Sequence, residues 1–466
     1  MPTPALLPSR ATLLPSLLAL LSAGVFAVPG AGQEQGRFLP ATIVPNYDRI
    51  RIGQVEGLEG GAFAARTNDS GANWYNPAGL ALADRSGLNA SATAYEYTTV
   101  NLGGLNREFG SGRFSSLGTY FAGVLGGDVL GSSRLRLGFS ITRPVVWSPG
   151  AISGETVGSP EGGAERVDFY SSADMSTMLP AVNAGFRLAE GLRVGGGFAI
   201  GITKIETNQH LANRFVTPTA AQRESRSLNF DGQYFQMQFT AGVQWDLSER
   251  IRLGGTLSTP GIGIGGSALM ISQASAGGPS GTQEFVFRDD EASFAYELPS
   301  RAVAGVAVNL GRFEVEADVR YYGSREAYEL LSSDVPSTFL TTDASGTPEV
   351  EQILLQPAVE EADAVTNLAL GVNYPLSDSW RLHGGVFTDG SPVGDSQDSV
   401  FGKVDLTGFS FAISFGGRLS GTVGVSSSWG TTEEGTVGPT LGGVERQTTV
   451  DIRSVNLHYA LSYTFN

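Results

Sequence analysis

The chain has 466 residues, 63 of them glycine, roughly twice the usual share, and Lys, Arg, Asp and Glu together make only 16% where about 25% is typical. Thirty basic residues against 46 acidic ones give a net charge of -16, which excludes a phosphate-neutralising nucleic-acid surface as a reading. Cysteine is absent and His210, His383 and His458 are scattered, so the sequence offers no disulfide framework, no thiol chemistry and no metal motif.

Arg10 precedes a largely apolar run over residues 11–27, and Val25-Phe26-Ala27 ends it at a plausible cleavage position. This predicts a signal peptide over residues 1–32, cut between 27 and 32. Beyond residue 32 no stretch approaches the roughly 18 apolar residues of a membrane-spanning helix, so any membrane role must use strands.

Residues 33–85 carry Gly57, Gly60, Gly61 and Ala62, then the run Ala72-Asn73-Trp74-Tyr75-Asn76-Pro77-Ala78-Gly79-Leu80-Ala81. Asn76 can cap a helix start and Pro77 suits the first turn, where its missing N–H is no loss. A short helix is therefore expected from Pro77. On spacing alone the Asn-Pro pair reads equally well as a surface turn.

From residue 86 the pattern has period two. Leu135, Leu137, Phe139 and Ile141 alternate with Arg136, Gly138, Ser140 and Thr142. Phe235, Phe239, Val243 and Trp245 alternate with Gln236, Gln238, Thr240 and Gln244. Phe313, Val315, Ala317 and Val319 face away from Glu314, Glu316, Asp318 and Arg320, and the chain closes with Val455, Leu457, Tyr459, Leu461, Tyr463 and Phe465 on one parity. Each such segment is a strand with one oily and one wet face.

Connection lengths decide between a soluble sandwich and a barrel. Tight turns near 126–133, 189–191, 248–250, 311, 375–379 and 416–418 take turns with long polar connections such as 148–165, 208–227, 331–351 and 432–447. Strands that cross a bilayer up and down, with short periplasmic turns and longer outer loops, have this rhythm. The predicted strands are 86–100, 114–125, 134–147, 166–188, 192–207, 228–247, 251–273, 284–310, 312–330, 352–374, 380–389, 405–415, 419–431 and 448–465. The expected fold is thus an all-β, transmembrane antiparallel barrel of about fourteen strands over residues 86–466. A barrel of that size leaves a bore, and residues 33–85, which have no place among the strands, are the natural stopper. On this parity Val243→Arg should be costly in lipid and Gln244→Arg tolerated in the bore.

The run over residues 72–81 resembles the signature of the FadL/TodX family of outer-membrane long-chain fatty acid and hydrocarbon transport proteins, whose N-terminal hatch carries Asn-Pro-Ala. Leu298-Pro299-Ser300, Phe313 to Val319, Leu368 to Tyr374 and Gly390-Ser391-Pro392-Val393 are similar to later parts of that family. The resemblance implies a hatch domain at 33–85 with Trp74, Tyr75, Asn76, Pro77, Ala78 and Gly79 as its motif. It also implies passive uptake of a fatty acid or other hydrophobic small molecule, lateral release into the bilayer, and residence in the outer membrane of a Gram-negative-type bacterium. Expected partners are that ligand, outer-membrane lipid and lipopolysaccharide, and the barrel assembly machinery, with a monomer as the working unit.

A lateral exit needs a broken ladder. Pro144, which lacks an N–H and follows Gly138 on the same strand, is the candidate opening; the plainer reading is a proline that ends a strand. Arg136, Arg187, Arg193 and Arg252 fall on the bore parity and are candidates for ligand contact, with pairing to acids such as Glu314, Glu316 and Asp318 as the structural alternative. No cofactor and no metal are expected; Asp389, Asp395 and Asp398 read as a solvated loop. Gly261-Ile262-Gly263-Ile264-Gly265-Gly266 fits a dinucleotide pattern without the strand-loop-helix that would support it. No nucleophile elbow is present, and the neighbouring pair His458 and Ser462 reads as bore decoration, so enzyme function is not expected. The rival functions are a barrel of the same fold serving as an adhesin or secretion-system accessory, and a hydrophilic porin.

Overall fold

The computed structural model describes residues 45–83, 85–102, 107–114, 118–147, 152–158, 164–216, 221–279, 281–394, 403–437 and 446–465. The expected signal peptide and the first part of the expected hatch lie outside the described residues, as do Asp395 and Asp398.

The strands in chain order are β1 (Gly87–Leu102), β2 (Arg107–Phe114), β3 (Gly118–Leu125), β4 (Leu135–Trp147), β5 (Ile152–Gly158), β6 (Ala164–Ala189), β7 (Leu192–Val216) and β8 (Ala221–Asp246). Then come β9 (Ile251–Ser258), β10 (Ile262–Gly278), β11 (Gly281–Phe294), β12 (Arg301–Asn309), β13 (Glu314–Tyr322), β14 (Arg325–Ser332), β15 (Ser337–Asp343) and β16 (Pro348–Ile353). The last are β17 (Ala358–Ala362), β18 (Val365–Pro375), β19 (Trp380–Asp389), β20 (Leu406–Gly416), β21 (Leu419–Val437) and β22 (Arg446–Thr464).

Fourteen of these close a ring. Taken as β1, β3, β4, β6, β7, β8, β9, β12, β13, β18, β19, β20, β21 and β22, each pairs antiparallel with the next. Closure comes from β22 pairing back onto β1, from Gly87↔Thr464 to Leu102↔Val450. The remaining strands prolong the wall at the end carrying the long loops; β10, for example, continues beside the distal half of β8, from Ile262↔Met237 to Gly277↔Arg223.

The fourteen-strand expectation holds, with four predicted strands split, among them 352–374, which breaks at residues 354–357 and 363–364 to leave β17 and β18. The predicted 251–273 breaks at Thr259-Pro260-Gly261 into β9 and β10, and 284–310 breaks at residues 295–300, around Pro299, into β11 and β12. Proline has no N–H for the ladder, so both breaks fall where pairing loses a donor. They face each other, and the Gly261 N–H donates to the Leu298 carbonyl at 2.9 Å. The predicted 312–330 likewise parts at residues 323–324 into β13 and β14.

The parity is as expected. Phe239, Val243 and Trp245 are 45, 42 and 48% exposed, whereas Gln236 and Gln244 are fully buried. Val455, Leu457, Tyr459, Leu461 and Tyr463 are likewise exposed, with His458 and Ala460 buried between them. An outward apolar face of this extent is stable only against lipid. Among the described residues no helix is long and apolar enough to cross a membrane.

Residues 45–83 lie within the ring, against the inward faces of its strands. They form a 3-10 helix (Glu56–Glu59), α1 (Ala72–Tyr75) and a second 3-10 helix (Pro77–Leu82). The helix expected from Pro77 is this last one: the Asn76 side chain accepts from the Ala78 N–H at 3.1 Å, and Pro77 occupies the first turn.

Candidate functional site: a filled bore and an apolar chamber

Toward the short turns, the bore is filled by residues 45–83 held by buried polar groups. Asp48 accepts from Arg320 Nη1 (2.8 Å), the Tyr322 hydroxyl (2.8 Å) and Asn367 Nδ2 (2.7 Å), while its own N–H donates to Asp389 (2.9 Å). Burial raises the cost of its charge, but Arg320 and then Arg301 outweigh burial and hold the Asp48 carboxyl below its ordinary range. Asp318 accepts from the Phe63 and Ala64 N–H groups at 3.0 and 3.2 Å, and Glu316 from Ala65 N–H at 2.6 Å and Arg66 Nε at 3.0 Å. The row of inward charges on β13 thus serves the N-terminal segment. Asp389, read from sequence as part of a solvated loop, is fully buried at the end of β19 and binds that segment.

The wall meets this segment backbone to backbone. A Cβ built at Gly254 would stand 2.2 Å from the Ala64 carbonyl oxygen, at Gly195 2.3 Å from the Pro77 carbonyl carbon, and at Gly385 2.2 Å from the Gly60 nitrogen. Gly185, Gly242 and Gly371 come similarly close to Ala81, Asn76 and Glu59. Real Cβ atoms do not sit so close to their neighbours, so these six positions on six strands require glycine for close approach. Part of the unusual glycine content has this cause.

Toward the long loops, the same inward face turns apolar. On β8 the buried residues Leu228, Phe230 and Tyr234 precede Gln236 in one parity, while the outward residues there, Asn229, Asp231 and Gln233, are polar. The amphipathic pattern therefore changes phase within one unbroken strand at Phe235–Gln236. Met175 and Leu179 on β6, Met270 on β10, Phe285, Phe287 and Phe294 on β11, and Leu330 and Leu331 on β14 join the same cluster, with Trp74 of α1 packed against it. Phe294 meets Phe230 and Tyr234 edge-on, with ring centroids 5.6 and 6.4 Å apart. Sequence reading missed this inward apolar cluster, called the chamber below, because it followed the outward apolar parity; the signal available was the switch of apolar residues to the even positions over 228–234.

The wall changes beside the chamber. β3 pairs with β4 from Leu125↔Leu137 to Tyr120↔Thr142 and goes no further. Val145, Val146 and Trp147 pair with β6 after a register shift across Arg143 and Pro144. Pro144 is buried and lines a small cavity with Tyr47, Ile50, Ile52, Trp74 and Tyr75 of the N-terminal segment. Nearby, Arg49 of that segment reaches Glu96 of β1 at 2.8 Å and lies over the Trp147 ring of β4 at 4.4 Å.

The residues expected to form a hatch motif come together inside the ring. Asn76 Nδ2 donates to the Ala64 and Val243 carbonyls at 2.7 and 2.9 Å, the Tyr75 hydroxyl donates to the Ile52 carbonyl at 2.8 Å, and Pro77, Ala78 and Gly79 are buried. Gly138 faces Asn73, whose Oδ1 would lie 2.2 Å from a Cβ there. The four arginines singled out from sequence all sit toward the short turns. Arg136 donates to the Ala83 carbonyl at 2.7 Å, Arg193 and Arg252 both pair with Asp246, and Arg187 is exposed. None of them joins the chamber. His458, read beside Ser462 in the sequence, instead contacts Thr93 and Ser426.

A closed antiparallel ring with an apolar exterior and a filled bore defines a membrane-spanning β-barrel of the outer-membrane type. By sequence the chain matches no family model and no curated protein. By structure it is similar to a Pseudomonas aeruginosa FadL homologue, at 13% identity and a TM-score of 0.56 over 91% of this chain and 100% of that one. It is also similar to the P. putida toluene transporter TodX (12%, 0.52, 89% and 99%) and the Ralstonia pickettii toluene transporter TbuX (13%, 0.51, 89% and 98%). The fold is therefore that of the FadL-type and TodX-type barrels.

Proposed function

We propose that the chain is an outer-membrane channel for passive uptake of hydrophobic small molecules, long-chain fatty acids or other apolar compounds. The ligand enters the apolar chamber from the loop end, residues 45–83 act as the hatch that keeps the bore closed to water, and release is sideways into the bilayer at Pro144. The observation that carries the reading is the change of phase along β8, which puts Leu228, Phe230 and Tyr234 inside the bore directly beyond the filled section. A hydrophilic porin would have no use for an oily bore. The neighbours titled as toluene transporters support an apolar cargo. The register shift across Arg143 and Pro144, where β4 passes beyond its pairing with β3, supports the sideways exit: release into bilayer rather than water avoids re-exposing about 0.8 kcal/mol per CH2.

The test is uptake of a labelled hydrophobic ligand by cells expressing the chain, compared with cells lacking it and with cells carrying Phe230→Asp. Faster uptake that depends on the chain and is lost in the variant is expected. Equal uptake with and without the chain would remove the transport reading.

A further inference from the structure

Strands β6, β7 and β8 run on together past the last outward apolar pair, Ile202 opposite Phe235, and β7 and β8 stay paired up to Val216↔Ala221. Arg214 follows Ile202 by twelve residues, about 40 Å along the strand and, at the tilt of a barrel strand, roughly 28 Å above the lipid. The outward face of this extension therefore has no lipid to meet.

That face changes character row by row across the strands. Nearest the lipid, Asp174, Glu206 and Asp231 stand opposite one another, all exposed. Further out Tyr170 stands opposite His210, both exposed. Beyond them Ala212, Ser225 and Ser275 make a row of small side chains, with the two serine hydroxyls 2.9 Å apart and Asp168 at its β6 end. The outermost row is Arg166, Arg214 and Arg223, each directly opposite the next and all exposed, with Gly277 beside Arg223. Among the described residues neither Arg214 nor Arg223 makes an ion pair.

Like charges directly opposite on strands about 4.8 Å apart repel, so this arginine row costs stability unless an anion lies across it. On a chain of net charge -16 it is also an isolated patch of the opposite sign. Guanidinium forks match phosphate and carboxylate. The exposed Tyr170 ring adds an apolar face with a polar edge, the counterpart of a pyranose with its C–H face and hydroxyl rim. Between the two rows, about 13 Å apart along the strands, the small side chains leave room for a short run of sugars. The acidic row at the lipid edge repels anions, which sets the charged groups of such a glycan toward the tip. The face looks sideways, along the membrane, so what lies against it is glycan rising from the neighbouring outer leaflet.

We propose that the outward face of β6, β7 and β8 beyond the lipid binds the anionic glycan of lipopolysaccharide in the surrounding membrane. Sugars lie over Tyr170 and His210, and phosphate or carboxylate groups meet Arg214 and Arg223, flanked by Arg166. This surface is separate from the bore and independent of what the bore carries.

The probe is the lipid-free polysaccharide released by mild acid from the lipopolysaccharide of the strain that makes the protein. Its equilibrium binding to the full chain in lipid nanodiscs is measured against protein-free nanodiscs. The polysaccharide should bind, and the same material after dephosphorylation and carboxyl reduction should bind roughly tenfold or more weakly. Arg214→Gln combined with Arg223→Gln should show the same loss, and Tyr170→Ala a smaller one. Arg288→Gln, which alters an arginine already paired with Asp290 at 2.9 Å, should change nothing. Heat-modifiable gel migration reports whether the barrel is intact in each variant. No binding by the unaltered chain, equal binding of the neutralised polysaccharide, or undiminished binding by the double arginine variant with its barrel intact overturns the proposal. Polyglutamate that binds as tightly as the polysaccharide shows a surface that reads charge alone, and overturns the glycan assignment.

Discussion

Gln236 and Gln244 point into the bore from the half of β8 nearer the short turns; Leu228, Phe230 and Tyr234 point into the bore from the same face of the same strand a few residues further on. The first group donates to protein backbone: Gln244 Nε2 reaches the Thr67 carbonyl at 3.0 Å and Gln236 Nε2 the Tyr296 carbonyl at 2.9 Å. The second group packs within the apolar cluster. Outside, the order is reversed, from Phe239 and Val243 to Asn229 and Asp231. Each face takes the character of what it touches. In lipid the outside is oily and the inside is wet; past the lipid the outside is solvated and the inside is free to be oily. The phase change therefore marks both the upper edge of the lipid belt and the floor of the chamber.

The largest expected effect breaks this comparison at two heights on the outward parity. Val243→Arg should cost about 2 to 4 kcal/mol if it lies at mid-membrane, whereas Asn229→Arg, beyond the belt, should stay within about 0.5 kcal/mol. Equilibrium unfolding in lipid vesicles measures both, and similar costs at the two sites would erase the boundary drawn from the phase change.

A smaller effect sharpens the filled half. Glu56 is fully buried, with its Oε2 accepting from the Val55 N–H at 2.9 Å. Burial first, and then Asp69 beside it, push its carboxyl from 4.5 up to about 8. The folded state therefore holds this proton more tightly than the unfolded chain does, so its contribution is most favourable below the ordinary value and is lost as pH rises from there to about 8. Residues 45–83 should become more sensitive to protease between about pH 5 and about pH 9, and Glu56→Gln should flatten that profile. A flat profile in the unaltered chain would show that the proton is not held.

Much of the fold was legible because two signals agreed: the period-two alternation and the alternation of short and long connections. The Asn76-Pro77 start was legible too, since capping is local chemistry. What the sequence did not disclose depends on residues far apart in the chain. Parity places Gln244 in the bore and predicts that Arg is tolerated there; in the structure Gln244 is fully buried against Thr67, so Gln244→Arg should be destabilising. The charges of β13 looked like partners for strand arginines, but their partners are N–H groups some 250 residues earlier.

On the proposed function, the bore is closed at its turn half by chain packed on glycine, so that traffic is not straight through. Ionic conductance in planar bilayers tests it most directly, on the unaltered chain and on two variants of adjacent glycines with opposite outlooks. Gly254 would place a Cβ 2.2 Å from the Ala64 carbonyl oxygen, whereas at Gly255 the nearest atom would be a Val243 methyl at 3.6 Å. The unaltered chain and Gly255→Ala should conduct almost nothing, and Gly254→Ala, overpacked by about 1 to 3 kcal/mol, should show intermittent openings. A large, steady conductance in the unaltered chain would contradict the claim.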